Sequence, residues 1–214
     1  MPHLHRNSQK RIYKEGAEYF ITTVTYERYP YFANPILSEL FVRDMWFARD
    51  LKQFDLFGYT VMPDHVHLLL QPRGKFNYSQ IMHNAKRVFS LEANQIMFSS
   101  PKCETAHPNA ISAGDDIYHR LRWSNVLIDL HRRFVGSYGI HHNIPHFRWQ
   151  SSFRDHMIRN EDDYLNHLEY IYNNAVKHGL VKDAEEFPWM WIAGMKPPFA
   201  PDLKPFKGEG LLRR

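Results

Sequence analysis

The stretch VMPDHVHLLL, residues 61–70, places two histidines two positions apart in an otherwise apolar run. In an extended chain, successive side chains point to opposite faces. His65 and His67 therefore share one face, while Val66 and Leu68 share the other. The sequence thus presents a pair of imidazoles side by side on one surface of a sheet.

The residues around this stretch predict a β-hairpin. Residues 56–62 have the composition of a strand, and Pro63 with Asp64 forms a tight connection to a second strand over 65–71. Antiparallel pairing of these strands puts the histidines just past the turn. An earlier segment, 19–26, is dense in β-branched and aromatic residues and predicts another strand.

Three helices are predicted from the spacing of apolar residues and from their terminal residues. Residues 36–53 carry apolar side chains at spacings of four and three, and residues 77–98 do so in part. The third helix begins after Asn160, a capping residue followed by three acidic residues, and ends at Gly179. Residues 147–159 are expected to return the chain to the sheet before this last helix.

The order strand, helix, strand, strand, helix, strand, helix is that of an α+β split βαβ sandwich. We expect an antiparallel sheet with helices mainly on one face, in a single domain over residues 1–193. Residues 99–145 are expected to be a loop or a basic insertion, with a short helix within 117–134. Residues 194–214 are expected to be a C-terminal tail.

The composition excludes a disordered chain and favours a cytoplasmic globular protein. Of the 214 residues, 43% are apolar and 15% are aromatic, which is enough to build a core. The single cysteine, Cys103, rules out an internal disulfide, and no apolar stretch approaches the roughly 18 residues that a membrane span needs. The net charge of +4 fits a nucleic-acid partner without requiring one.

His65 and His67 together can bind one divalent ion, because both side chains leave the strand in parallel directions. The His-x-His pattern alone is weak evidence, since a chain with 14 histidines also contains it at His3 and His5. The apolar strand around the pair strengthens the metal interpretation. A buried imidazole without a ligand or a hydrogen-bond partner costs free energy.

A polar stripe on the last predicted helix offers a partner surface for the histidines. Asn166, Tyr170, Asn174 and Lys177 follow one another at helical spacing. Tyr170 alone would be an ordinary interfacial aromatic residue, but Asn174 offers an amide oxygen to the same ion and Lys177 offers a charge for a phosphate. A phenol, with a pKa of about 10, needs a metal or a cation to attack at neutral pH.

Basic residues elsewhere are candidates for contacts with a nucleic acid. The segment 117–134 interleaves arginines with Tyr118, Trp123 and Phe134, a mixture suited to phosphates and stacked bases. The alternative is an ordinary helix whose arginines extend around buried aromatic side chains. The predicted DNA-binding residues are Arg120, Arg122, Arg132, Arg133, Lys86, Arg87 and Lys177.

Three motifs in this order resemble those of the HUH single-tyrosine transposases, the insertion-sequence transposase-like superfamily. The resemblance is greatest to the REP-associated tyrosine transposases and covers about residues 14–193. The matching stretches are VMPDHVHLLL at 61–70, WQSSFRDHMIRNEDDY at 149–164 and YIYNNAVKHGLV at 170–181.

The resemblance implies a ferredoxin-like fold that cleaves and joins single-stranded DNA. It implies that His65 and His67 hold a divalent metal, Mg or Mn, with Asn174 as the candidate third ligand. It implies that Tyr170 attacks a phosphodiester and forms a 5'-phosphotyrosine link, with release of a 3'-hydroxyl. The implied partner is a REP-type DNA hairpin with single-stranded flanks, bound by a monomer, with a dimer as the alternative.

The chain departs from the family pattern where Ala175 follows Asn174 in place of the common proline. This alters the local helix geometry and removes no chemical group. Tyr172 is the rival nucleophile. Two other functions stay open: a domesticated, non-catalytic DNA-hairpin-binding protein and a non-DNA hydrolase with a histidine-bound metal.

Overall fold

The fold was determined from a computed structural model that describes residues 11–99 and 117–197, excepting the side chains of 117–124. These residues form five β-strands and four α-helices. The strands are β1 (Tyr19–Val24), β2 (Phe54–Met62), β3 (His65–Pro72), β4 (Arg154–Met157) and β5 (Met190–Ile192). The helices are α1 (Pro35–Lys52), α2 (Tyr78–Phe98), α3 (Ile117–Tyr138) and α4 (Glu161–Lys177).

The strands form one sheet in the order β4-β1-β3-β2-β5, with every neighbouring pair antiparallel. The first four strands have the order of a split βαβ sandwich, and β5 is added at the β2 edge. The α+β class and the antiparallel sheet predicted from the sequence are confirmed. Both edges are short, with four residues in β4 and three in β5.

Three helices lie on one side of the sheet and enclose the larger core. Helices α1 and α2 pack on β2 and β3, and α3 packs on α1 and α2. Strand residues of one parity face these helices, as the pleat requires. The fully buried members of this core include Ile21, Val66, Leu68, Leu37, Ile81, Phe89 and Phe134.

Helix α4 covers part of the opposite side, over β2, β3 and β5. A second, smaller apolar cluster forms there, with Phe57, Leu69 and Ile171 at its centre. The Asn160 side chain caps the helix by accepting a hydrogen bond from the Asp163 backbone amide at 2.9 Å. Gly179, just beyond the end of α4, has a φ of 70°, a conformation that favours glycine. These are the limits that the sequence predicted.

Two elements differ from expectation. The segment expected to hold a short helix carries the 22-residue α3, which buries Leu130 and Phe134 against its neighbours. The strand β5 was not predicted, since no strand was expected after the last helix. The domain limits stay a prediction, because residues 100–116 of the loop or insertion predicted over 99–145, and most of the predicted tail, lie outside the described residues.

In the part of the chain that the structure describes, no helix has both the length and the apolar composition needed to cross a bilayer.

Candidate metal and nucleophile site

His67 is oriented by its neighbour on β1. Its Nδ1 lies 2.8 Å from Oγ1 of Thr22, its partner in the strand register. Its Nε2 is buried and has no hydrogen-bond partner among the described residues. Burial, followed by the imidazoles of His65, His178 and His167, lowers the pKa of His67 to about 3. When Nδ1 donates to the hydroxyl, this neutral ring has a lone pair on Nε2 that can bind a metal ion.

His65 is oriented from the hairpin turn. Its Nδ1 lies 2.5 Å from Oδ1 of Asp64, and Arg28 pairs with Oδ2 of the same carboxylate at 2.9 Å. Burial acts to raise the pKa of Asp64, but hydrogen bonds from His65 and Arg28 hold it below its usual value. A carboxylate that binds one imidazole nitrogen fixes the ring and makes the other nitrogen a better metal ligand.

The backbone of the turn after β1 keeps Arg28 in this position. Glu27 and Arg28 both have a φ of 53°, in the left-handed region that residues other than glycine rarely adopt. The Thr25 amide donates to the Asp64 carbonyl oxygen at 2.9 Å and ties the two turns together. Such backbone strain is concentrated at functional sites.

Helix α4 brings Tyr170 to the two histidines. The ring centroids of Tyr170 and His67 are 5.0 Å apart, in an edge-on arrangement, and those of His65 and His67 are 4.8 Å apart. Phe20 stacks on His67 at 5.3 Å and meets Tyr170 edge-on at 5.8 Å. Tyr170 is 36% exposed, so its phenol can meet a substrate from solvent.

Asn174 lies between two residues, Tyr170 on α4 and His178 just after it, whose rings approach the histidines of β3. It is one turn after Tyr170, which meets His67, and one turn before His178, whose ring centroid is 6.1 Å from that of His65. Asn174 is fully buried, and neither its Oδ1 nor its Nδ2 has a partner among the described residues. An unsatisfied buried amide costs about 1–3 kcal/mol, so its presence needs an explanation.

The residues of this site fit the divalent metal that the resemblance implies. Two buried ligand atoms, His67 Nε2 and Asn174 Oδ1, are without partners among the described residues. His65 adds a third donor from the same strand face. Imidazole nitrogens with an amide oxygen are an ordinary ligand set for a divalent ion.

A positive charge and an open depression lie beside Tyr170. Lys177 Nζ is 5.5 Å from the centroid of the Tyr170 ring. The depression runs along the outer side of α4 and is lined by Asn166, Asn173 and Lys177 among others. A phosphate next to the phenol would therefore lie near an ammonium group.

Comparison with known proteins agrees with the motifs. Residues 13–105 match the family described as IS200-like transposases. A Haemophilus influenzae protein, provisionally named a REP-associated tyrosine transposase, is 25% identical over 190 residues, or 86% of this chain and 84% of that protein. A REP-associated tyrosine transposase of Escherichia coli is 40% identical over 76 residues, or 36% of this chain and 40% of that protein.

The resemblance to REP-associated tyrosine transposases is confirmed. The solved structure of a REP-associated tyrosine transposase bound to a REP hairpin matches this fold with a TM-score of 0.51. The match covers 94% of this chain and 96% of that one at 20% identity. It shows that the two proteins share a fold.

Most of the predicted DNA-binding residues do not lie with the site formed by Tyr170 and the histidines. Lys86, Arg87, Arg132 and Arg133 are on α2 and α3, on the other side of the sheet. Of the predicted set, only Lys177 is beside Tyr170 in the described part of the chain. The side chains of Arg120 and Arg122 lie outside that part.

Two of these basic residues make contacts within the protein. Lys86 donates to the carbonyl oxygens of Gln150 and Ser152 at 2.8 and 3.2 Å, and its burial lowers its pKa to about 8. Arg133 donates to Glu39 at 2.8 Å. Arg132 is more exposed and forms a 3.9 Å ion pair with Asp129. A role in DNA binding stays a prediction for these residues.

The rival tyrosine lies away from the histidines. The Tyr172 hydroxyl is 3.5 Å from a Glu185 carboxylate oxygen, in the segment that follows α4.

Sequence reasoning missed Thr22, Phe20 and the orienting role of Asp64. Thr22 and Phe20 contact His67 because β1 pairs with β3 in a particular register, which no local pattern reveals. Asp64 was interpreted only as a turn residue. Its position directly before the first histidine was the one available signal.

Proposed function

We propose that this protein is a metal-dependent single-stranded DNA endonuclease and strand transferase that acts on REP-type hairpins through a 5'-phosphotyrosine intermediate. The observation that carries the proposal is the 5.0 Å approach of Tyr170 to His67, beside the unpartnered amide of Asn174. The names of the similar proteins and the hairpin-bound neighbour support the substrate class.

Tyr170 is the nucleophile in this proposal. Its phenolic oxygen forms a bond to the scissile phosphorus, and the bond from phosphorus to the 3'-oxygen breaks. The 5'-phosphate is then linked to Tyr170, and the departing 3'-oxygen takes a proton from water. The phenolic proton passes to water, which reaches the 36% exposed ring. Because one phosphodiester replaces another, the reverse attack by a 3'-hydroxyl rejoins the strand without ATP.

His65, His67 and Asn174 would hold the divalent ion, Mg or Mn. When bound, such an ion polarises a phosphoryl oxygen and offsets the charge that develops on the phosphate. The other residues position these groups. Thr22 and Asp64 fix the imidazoles, Phe20 supports the Tyr170 ring, and Lys177 adds positive charge beside it.

One chain suffices for this chemistry. Tyr170, His67 and the neighbouring His65 belong to the same chain, so a monomer has the complete set of proposed groups. A DNA substrate also fits the cytoplasmic location expected from the composition.

The test is covalent capture of DNA. The protein is incubated with Mn and a labelled hairpin carrying single-stranded flanks, and the mixture is separated in SDS. We expect a stable protein–DNA adduct with the unchanged protein and with Tyr172→Phe, and no adduct with Tyr170→Phe.

Two results would overturn the proposal. One is an adduct that persists in Tyr170→Phe. The other is tight, salt-sensitive hairpin binding with no adduct across a panel of REP-type hairpins, which would select the non-catalytic binding function instead.

A further inference from the structure

A second group of possible metal ligands lies where β4 meets α4. It consists of His156 on β4 and Asp163 and His167 on α4, and one ligand atom from each lies within 4.8 Å of the others. His156 Nε2 is 2.8 Å from Asp163 Oδ2, and His167 Nδ1 is 3.3 Å from Asp163 Oδ1. The two imidazole rings stack with centroids 4.9 Å apart.

We propose that His156, Asp163 and His167 bind a transition-metal ion, at a site separate from the one formed by His65 and His67. The ligand set of two imidazoles and one carboxylate matches Zn and its first-row neighbours, and it is poorly suited to Mg, which prefers oxygen ligands. The fourth position of a tetrahedral ion would be open to water, because the side chains of His156 and His167 are 38% and 22% exposed.

The ring of Phe20 separates the two groups of histidines. Its centroid is 4.4 Å from that of His167 on one side and 5.3 Å from that of His67 on the other. An apolar ring between two pairs of imidazoles prevents one ion from being shared by both. The two groups therefore form two sites.

The charge and position of Asp163 suit it to be a metal ligand. Hydrogen bonds from Arg159 and His156 outweigh burial and hold the pKa of Asp163 well below its usual range, so it is a carboxylate. Its Oδ2 accepts from the Arg159 backbone amide at 3.0 Å, which fixes the group at the start of α4. Among the described residues, its Oδ1 has only the 3.3 Å contact with His167.

Binding an ion requires limited rearrangement. The Arg159 side chain, which contacts Asp163 Oδ2 at 3.0 Å, is 70% exposed and can move into solvent. His156 Nε2 would exchange its 2.8 Å contact with Asp163 Oδ2 for the ion. His167 Nδ1 would give up its 2.7 Å hydrogen bond to the Asp163 carbonyl oxygen, or the ring would bind through Nε2. The backbone need not move, since the three side chains already converge.

An ion at this site would tie the edge strand β4 to the helix that carries the proposed nucleophile. His167 precedes Tyr170 by three residues, so the two side chains lie about one turn apart on α4. The ion would therefore hold α4 in place next to the strand. Because it binds only the folded chain, it would also raise the midpoint of thermal unfolding.

The test is to count bound ions in the absence of DNA. Co(II) is titrated into the unchanged protein and into His156→Gln, His167→Gln and His83→Gln, and binding is followed by the visible absorption of the ion. His83 is an exposed histidine on α2 and serves as the matched control. We expect each of the first two variants to bind one equivalent fewer than the unchanged protein, and His83→Gln to bind the same number.

A further variant separates this proposal from the proposed function. The double substitution His65→Ala with His67→Ala should abolish binding of the ion at that pair of histidines. It should leave binding of the ion at His156, Asp163 and His167 unchanged. The proposal is overturned if His156→Gln and His167→Gln bind as many ions as the unchanged protein. If the unchanged protein binds both ions but forms no DNA adduct at Tyr170, the proposed function is refuted and this metal site is still supported.

Discussion

Two asparagines, on opposite sides of the sheet, differ in how their amides are satisfied. Asn94 of α2 donates to the carbonyl oxygens of Ser90 and Phe147, at 2.8 and 3.1 Å, and accepts from the Phe147 amide at 2.7 Å. Asn174 of α4 is fully buried, and its side-chain amide makes no hydrogen bond with any described residue. The first amide holds a loop in place, whereas the second is available to a ligand.

The same difference extends to the surroundings of each residue. The side that carries α1, α2 and α3 encloses the larger apolar core, and its buried Glu39 is paired with Arg43 and Arg133. Asp44 is one of several exceptions there, and burial together with Glu92 raises its pKa well above the usual value. The α4 side instead carries the imidazoles of His65 and His67 and the phenol of Tyr170. One side of the sheet thus provides stability, and the other presents groups that need a partner.

The largest effect is expected from the same substitution made at both asparagines. Asn174→Leu should abolish adduct formation, because it removes the proposed third ligand. It should also raise the free energy of unfolding by about 1–3 kcal/mol, since an unsatisfied buried amide is replaced by an apolar group. Asn94→Leu should lower the free energy of unfolding by at least about 1–3 kcal/mol, because it leaves the Phe147 backbone groups without partners.

Urea denaturation of both variants measures this contrast, with the SDS adduct assay run in parallel. A fall in stability for Asn174→Leu as large as that for Asn94→Leu would show that the two amides have the same structural role, and the distinction between the two sides would be wrong.

A smaller effect is expected at the residue that orients His67. Thr22→Val removes the 2.8 Å contact with Nδ1 while keeping the shape of the side chain. We expect about a 10–100-fold loss of metal affinity, the usual result of removing a hydrogen bond to a ligating imidazole. The Mn concentration that gives half-maximal adduct formation measures it.

Thr60→Val is the matched control for this experiment. Thr60 is the register partner of His67 on β2, and its hydroxyl contacts Met62 instead of the imidazole. If Thr22→Val and Thr60→Val lost the same amount of metal affinity, packing around His67, and not its hydrogen bond, would determine the affinity for the metal.

The smallest effect concerns the acid stability of the α1–α3 side. Burial acts to raise the pKa of Glu39, but hydrogen bonds from Arg133 and Arg43 lower it below its ordinary value of 4.5. A carboxyl with a lowered pKa in the folded state stabilises the protein above its unfolded pKa, and this contribution is lost as the pH falls through the folded pKa.

Glu39→Gln should therefore lower the free energy of unfolding near neutral pH and leave it unchanged in strong acid. The expected decrease is at most about 1 kcal/mol, because Arg133 is half-exposed and its ion pair is screened by water. The free energy of unfolding measured from neutral pH to well below pH 4.5 tests this expectation. Glu169→Gln, at an exposed position on α4, is the control. If the free energy of unfolding of Glu39→Gln differed from that of the unchanged protein by the same amount at every pH, the expectation would be wrong.

Local patterns in the sequence were sufficient to predict much of the fold. The hairpin around Pro63, the limits of α4 and the α+β class depend on turn residues, caps and periodicity, which act over a few residues. The stripe that holds Tyr170 and the pair formed by His65 and His67 were also predictable, because periodicity defines a face on a helix and on a strand. That these two faces meet was expected from the order of the elements and from the family resemblance, and not from either local pattern. In contrast, β5 has only three residues and no periodicity to detect.

The rest of the site depends on contacts between distant segments. Thr22 meets His67 through strand register, and His156 meets Asp163 through the packing of a helix against an edge strand. In the sequence, Asp163 was interpreted only as an anion in the first turn of α4. The interpretation of Arg133 as a DNA contact could not include Glu39, which is 94 residues away along the chain.

The short strands at the two ends of the sheet restrict how copies of this protein can associate. With four residues in β4 and three in β5, a neighbouring molecule would find few unpaired backbone groups to extend the ladder. The short edges therefore disfavour aggregation by the successive addition of strands from other molecules, which open sheets undergo at high concentration. A protein with these edges can keep a reactive, partly uncovered sheet surface and still be resistant to aggregation.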